Sequence, residues 1–312
     1  MIEFENVAVI GAGVIGASWA ALFLASGRNV AVYDLAASTE ADVRQYIDMA
    51  WPTLTELGLV NPQRRGELSF HDDPADAVRN ADFVQESVPE RIAIKHTLFA
   101  RIEPALKAGA IVASSASGLR LGEMQAGWKN PSHFILGHPF NPPHLIPLVE
   151  VMGNDQTAPE VVERAERFYA RVGKVTIRLN REVRGHVANR LQAALWREAI
   201  HLVQTGVASV EDVDKAVWAG PGLRWAAMGP TLLFHLGGGP GGLASFCEKY
   251  ADSFHGWWDD LGDPRLDEKT TAQLVQGVRE ETNDRGQAEL AANRDRLITT
   301  MLKSTANLRR AE

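Results

Sequence analysis

Cysteine is almost missing from this chain. Cys247 is the only one in 312 residues, which excludes an intramolecular disulfide and any Cys-based zinc site. That usage fits a reducing compartment, so a cytoplasmic location is expected, and Cys247 itself reads as a small buried apolar residue. Positive charge is also in deficit: 32 Lys and Arg stand against 39 Asp and Glu, a net charge of -7. Phosphate-backbone binding is thereby excluded as the main business, and neither a nucleic-acid partner nor a metal site is expected. The opening "MIEFENVAVIG" lacks a basic n-region, so no secretory signal is expected. The glycine-rich "GGGPGG" at 237–242 lacks the Lys-Ser/Thr ending of a phosphate-binding loop and reads as a flexible turn between helices.

What is present is an ordinary globular composition, 45% hydrophobic and 23% charged, in a chain long enough for one large domain or two ordinary ones. One uncharged stretch, "NVAVIGAGVIGASWAALFLASG" at 6–27, has the length of a membrane span. Its four glycines, and its change from β-branched to Ala/Leu-rich sequence, read instead as a buried strand, a tight turn and a buried helix, with no membrane partner.

Short apolar runs of strand length follow at 29–34, 82–87, 110–115, 134–137 and 174–179, alternating with helical-length segments at 38–58, 90–107 and 158–172. Alternation of this kind predicts an α/β fold, a Rossmann-type doubly wound and mostly parallel sheet, over residues 1–184. Beyond about residue 184 the strand signals stop. "HVANRLQAALWREAIHLVQTG" has helical spacing and "SVED" at 209–212 is a capping box, so residues 185–312 are expected to be all helical.

Directly after the first strand, Gly11, Gly13 and Gly16 have the G-x-G-x-x-G spacing, with Val14 and Ile15 completing the turn into the helix. The first glycine permits a tight turn, the second lets a pyrophosphate approach the backbone, and the third allows close strand–helix packing. Asp34 ends the second strand, 18 residues beyond Gly16, where a carboxylate accepts bonds from ribose hydroxyls. No Arg or Lys follows in "LAASTEADV" to take a 2′-phosphate, so the expected cofactor is NAD rather than NADP.

An enzyme that oxidises an alcohol with NAD needs a base for the hydroxyl proton, and a histidine oriented by a carboxylate serves near neutral pH. "GHPFNPPHLIPLVEV" at 137–151 offers His138 near the carboxyl edge of the sheet and Glu150 twelve positions on, with four prolines between them to stiffen the connection. By itself the pair reads more readily as a loop histidine and a surface glutamate, because sequence separation does not give distance.

"VAVIGAGVIG", "VQESVPERIAIKHTLFARIE", "ASSASGL", "GHPFNPPHLIPLVEV" and "RGHVANRLQAALWREAIHLV" together resemble the L-3-hydroxyacyl-CoA dehydrogenase family, in the family's order and over nearly the whole chain. The resemblance implies an NAD-binding domain followed by a helical substrate and dimerisation domain, and hence a homodimer. It implies that His138 is the catalytic base and Glu150 its partner, and that Ser117 and Asn189 bond the substrate oxygen. By the same resemblance Glu90 and Lys95 contact the nicotinamide side and ribose of the cofactor, and Asn141 lies beside the catalytic histidine.

"GPGLRWAAMGP" at 220–230 departs from the fatty-acyl-CoA members, having Ala227 where they carry a proline before Met-Gly-Pro. That departure resembles the small-hydroxy-acid branch, whose substrates are free 3-hydroxy carboxylates of the L-gulonate or L-carnitine type. Arg224 would offer a fork for such a carboxylate, or equally a structural ion pair, while Trp225 beside it reads either as a cation–π face for a trimethylammonium or as packing. Among eight tryptophans, Trp257 and Trp258 could face a trimethylammonium or serve as packing. Acyl-CoA oxidation is the runner-up activity, and a non-catalytic role like that of lambda-crystallin is the reading of another class.

Overall fold

A computed structural model describes residues 4–309. One compact unit runs to Ala188 and takes in the chain again from Ala291; Asn189–Leu290 form the other. The compact units meet at Ala188, where the sequence reading has its boundary after residue 184, and the end of the last helix groups with the first unit, where Lys303 pairs with Glu56 at 2.9 Å.

The first unit is built on an eight-stranded sheet: β1 (Asn6–Ile10), β2 (Asn29–Tyr33), β3 (Leu68–Phe70), β4 (Phe83–Glu86), β5 (Ile111–Ser114), β6 (Phe134–Pro139), β7 (Leu148–Met152) and β8 (Val175–Arg178). Their spatial order is β3-β2-β1-β4-β5-β6-β7-β8, and every neighbouring pair is parallel except β6 and β7. The order reverses between β1 and β4, the place where dinucleotides sit in doubly wound folds.

Alternation along the strands feeds two cores, one on each face. Val7, Val9, Val30, Val32 and Phe83 belong to one cluster with the helices Val14–Ala25, Thr39–Glu56 and Pro159–Arg171. Ala8, Ile10, Val84, Val112 and Leu136 belong to the other, with Ile92–Ile102. Burial on both faces explains why these strands are apolar throughout. The stretch with the length of a membrane span is a strand, a turn and a helix whose residues 16–25 are all buried. Among the described residues no helix is long and apolar enough to cross a membrane.

Strand β7 has no counterpart in the sequence-based reading. "LVEVM" follows a proline-rich run and by sequence reads as the end of that connection, yet it pairs antiparallel to β6 over Leu136–Pro139.

The second unit consists of helices, including Ala188–Gln204, Val210–Ala219, Pro221–Ala227, Pro230–Gly237, Gly242–Asp260 and Glu268–Thr282. Ser209 caps Val210–Ala219 by accepting the Asp212 N–H at 3.1 Å, as the capping box predicts. "GGGPGG" turns between Pro230–Gly237 and Gly242–Asp260 through a short 3-10 segment. Cys247, expected inside, is exposed on Gly242–Asp260. The reason is that this helix buries very little, Gly242 being its one buried residue.

Candidate active site

The glycine turn shows why each glycine is there. Gly11 has φ +89°, and a Cβ on it would stand 2.6 Å from the backbone of Ser87 and Val88. A Cβ on Gly16 would lie 1.8 Å from the Gly11 carbonyl oxygen, so only glycine lets strand and helix approach this closely. Gly13 faces open space and begins the helix Val14–Ala25, whose first turn has no side-chain cap and no acidic residue. Uncapped N–H groups with the positive end of the helix dipole behind them fit a pyrophosphate.

Beside this turn Asp34 closes β2. Its carboxylate accepts the Ala12 N–H at 2.6 Å and the Ala36 N–H at 3.1 Å, and so braces the glycine loop. Gly11, Asp34, Leu35, Val88 and Ile94 help line a mostly apolar cleft of about 420 Å³ that suits an adenosine moiety. Arg101 lines it too and lies 3.4 Å from Asp73.

Glu90 and Lys95 do not pair with each other. Lys95 is only 1% exposed, and its ammonium donates to both carboxylate oxygens of Glu86, at 2.6 and 2.8 Å, and to the Val88 carbonyl at 3.2 Å. Ser114 donates to the same Glu86 at 2.7 Å. With three acceptors taken, this ammonium holds the loop after β4 instead of reaching outward. Glu90 accepts the backbone N–H groups of Ser117 and of Gly118, the latter at 3.0 Å. Burial works against its ionisation, but those bonds prevail and hold its carboxyl below the ordinary range. Ser117, in the loop after β5, is fixed from behind by this contact.

The question left open by the twelve-residue separation is answered by register. His138 on β6 and Glu150 on β7 are direct cross-strand partners, so their side chains project from the same face. His138 Nδ1 is 2.7 Å from Glu150 Oε2, with Glu150 fully buried. Its other oxygen, Oε1, accepts the N–H groups of Val187 at 2.9 Å and Ala188 at 3.0 Å. Burial alone would raise this carboxyl; the bonds from His138 and the two amides outweigh it and keep the group low, hence ionised. An ionised Glu150 fixes the proton of neutral His138 on Nδ1 and leaves Nε2 as the basic atom.

The remaining candidates are more dispersed. Asn141 is exposed in the loop between β6 and β7. Asn189, in the first turn of Ala188–Gln204, is the first residue of the second unit. Arg224 and Trp225 are exposed on the short helix Pro221–Ala227, and Trp257 and Trp258 are each 59% exposed on Gly242–Asp260. Sequence reasoning missed Glu86, the amides of Val187 and Ala188, and His186. Only the Gly-His pair at 185–186, contained in the quoted "RGHVANR", could have drawn attention to that turn. Among the described residues no group of His, Cys, Asp and Glu could hold a metal.

The description "3-hydroxyacyl-CoA dehydrogenase, NAD binding domain" matches residues 6–183, and "3-hydroxyacyl-CoA dehydrogenase, C-terminal domain" matches residues 185–277. The chain belongs to the 3-hydroxyacyl-CoA dehydrogenase family. As a member of that family it is an NAD-dependent dehydrogenase. Within the family it is 46% identical over 304 residues to the L-carnitine dehydrogenase of Streptomyces coelicolor, covering 97% of this chain and 96% of that one. It is 40% identical to the L-carnitine dehydrogenase of Bacillus cereus, over 96% of this chain and 92% of that one. A similar solved structure is that of an NAD+ dependent dismutase, a 5-formyl-3-hydroxy-2-methylpyridine 4-carboxylic acid 5-dehydrogenase. It has 30% identity and a TM-score of 0.82, covering 96% of this chain and 99% of that one.

Proposed function

We propose that this protein oxidises L-carnitine to its 3-oxo acid with NAD. The observation that carries the reading is identity of 39–46%, over 96% or more of this chain, to relatives named L-carnitine dehydrogenase. A small free acid also suits the likeness to a dehydrogenase of a pyridine carboxylic acid, and the departure at Ala227 from the acyl-CoA pattern.

Bound NAD supplies the hydride acceptor for the carbon that bears the hydroxyl. Gly11, Gly13, Val14, Ile15 and Gly16 would hold its pyrophosphate, Asp34 its adenosine ribose, and Glu90 and Asn141 its nicotinamide side. Lys95 would act from behind, by fixing the loop from Val88 to Glu90. His138 Nε2 takes the hydroxyl proton as the C–H bond breaks, and Glu150 stabilises the imidazolium that results. Ser117 and Asn189 are assigned to bonding the substrate oxygen while its charge changes. Arg224 is assigned to the carboxylate, for which its planar fork is suited, with Trp225 beside it in sequence.

The exposed apolar side chains of the helical unit favour a homodimer, in which a second copy covers Leu191, Trp196 and Trp218. We place the enzyme in the cytoplasm, where a lone exposed thiol such as Cys247 stays reduced.

The reading is tested by NADH formation at mildly alkaline pH with L-carnitine, L-gulonate and 3-hydroxybutyryl-CoA, each offered alone. The expected result is a kcat/KM for L-carnitine roughly two powers of ten or more above the others. Turnover confined to L-gulonate moves the assignment within the free-acid branch, and turnover of the thioester alone overturns it. NAD binding without turnover of any of the three would point to a non-catalytic protein.

A further inference from the structure

The chain between Gly185 and Ala188 touches both the dyad and the serine loop. His186 is 3% exposed and sits in the left-handed region at φ +49°, following Gly185 at φ +76°. A side chain rarely adopts that conformation, and a turn that keeps a histidine there is over-determined by its surroundings. Its Nε2 is 3.1 Å from the carbonyl oxygen of Ala116, the residue before Ser117. A carbonyl only accepts, so Nε2 carries the proton. Nδ1 is buried and has no hydrogen-bond partner. The ring centroid lies 5.1 Å from that of His138. The next two amides in the chain, Val187 and Ala188, grip Glu150 Oε1.

These contacts form one mechanical path. A carboxylate gripped on Oε1 by two amides presents Oε2 in one direction, and that direction aims His138. The two amides stand where the turn puts them, and the turn is tied to the β5 loop through the side chain of His186. We infer that His186 is a positioning residue for the oxidation: its Nε2–H bond to Ala116 sets the turn that orients Glu150, and couples the dyad to the loop bearing Ser117. The inference rests on the reading of His138 and Glu150 as the base and its partner. The ring stays neutral in this role, since burial lowers its affinity for a proton and Nδ1 faces no acceptor. His138, Glu150 and Glu90 are the titratable groups whose charges it feels.

Three variants of the full chain separate the possibilities. His186→Gln keeps an amide donor near the position of Nε2, His186→Phe keeps a ring without a donor, and His138→Gln tests the dyad itself. The expected result is that His186→Phe lowers kcat about ten- to a hundredfold while KM for NAD stays within about twofold, and that His186→Gln regains most of the loss. Wild-type kcat in His186→Phe overturns the inference, and so does an equal loss in both His186 variants, provided His138→Gln is inactive. An active His138→Gln removes the dyad reading first, and the two failures are thus distinguishable. If His186→Phe does not fold, nitrogen NMR of wild-type imidazoles decides, with His186 assigned by its absence from His186→Gln. A neutral ring protonated on Nε2 is expected at pH 7, and a proton on Nδ1 overturns the proposal.

Discussion

Individual buried residues decide how firmly the connection between His138 and Glu150 is held. His144, within that loop, donates its backbone N–H to Ser18 Oγ at 2.8 Å and sets its ring Nδ1 2.9 Å from the same oxygen. Lys174 donates to the carbonyls of Pro143 and Ile146, the latter at 2.8 Å, and lies 4.9 Å from the Trp19 ring. Burial lowers His144 to about 4 and Lys174 to about 7. For His144 the folded protein favours the neutral ring, while the unfolded chain takes up a proton near pH 6.5. Stability is therefore complete above about pH 6.5 and falls as pH drops from there toward 4, by about 3 kcal/mol for this group. His186, also lowered by burial, acts in the same direction. The Lys174 window lies above pH 7, so the two do not overlap. Urea midpoints measured from pH 7 to 4.5 should drop steeply in wild type and less steeply in His144→Asn; equal slopes would remove His144 as the cause.

At the scale of elements, the strand–turn–helix formed by β1 and Val14–Ala25 carries the cofactor expectation, and its geometry is nearly all local. Asp34 contributes from the neighbouring strand by accepting the Ala12 N–H. Asp34→Ala removes that brace together with the acceptor proposed for the ribose. The expected outcome is NAD binding weakened by about tenfold or more, with a narrowed preference for NAD over NADP, read by fluorescence titration of NADH and NADPH. Unchanged selectivity would count against the assigned role. This element was legible because its period, its glycines and its acid lie within one short stretch of sequence. Strand β7 was not, since "LVEVM" reads as the end of a proline-rich loop until β6 is set beside it.

The molecule as a whole presents one imbalance. Leu191 is 63% exposed, Trp196 53%, Trp218 66% and Leu236 59%, all in the helical unit, while the core of the first unit is closed. Apolar surface on this scale is not ordinary for a monomer, and a two-fold interface between identical helical units would cover it. Sedimentation should give a dimer at micromolar concentration, and Trp196→Glu, which puts a charge at one of these exposed apolar positions, should shift the protein toward monomer. A wild-type monomer would remove a second copy as what covers these side chains.

The sequence by itself determined the doubly wound sheet, the glycine turn with Asp34 and the switch to helices, because each follows from periodicity and turn chemistry among near neighbours. Tertiary structure alone decided what depends on atoms far apart in the chain. Pairing of β6 with β7 put His138 opposite Glu150, and the turn at His186 joined Ala116 to the dyad. A hydrogen bond across 70 residues has no local pattern to announce it, since its donor and acceptor meet only when the sheet has closed.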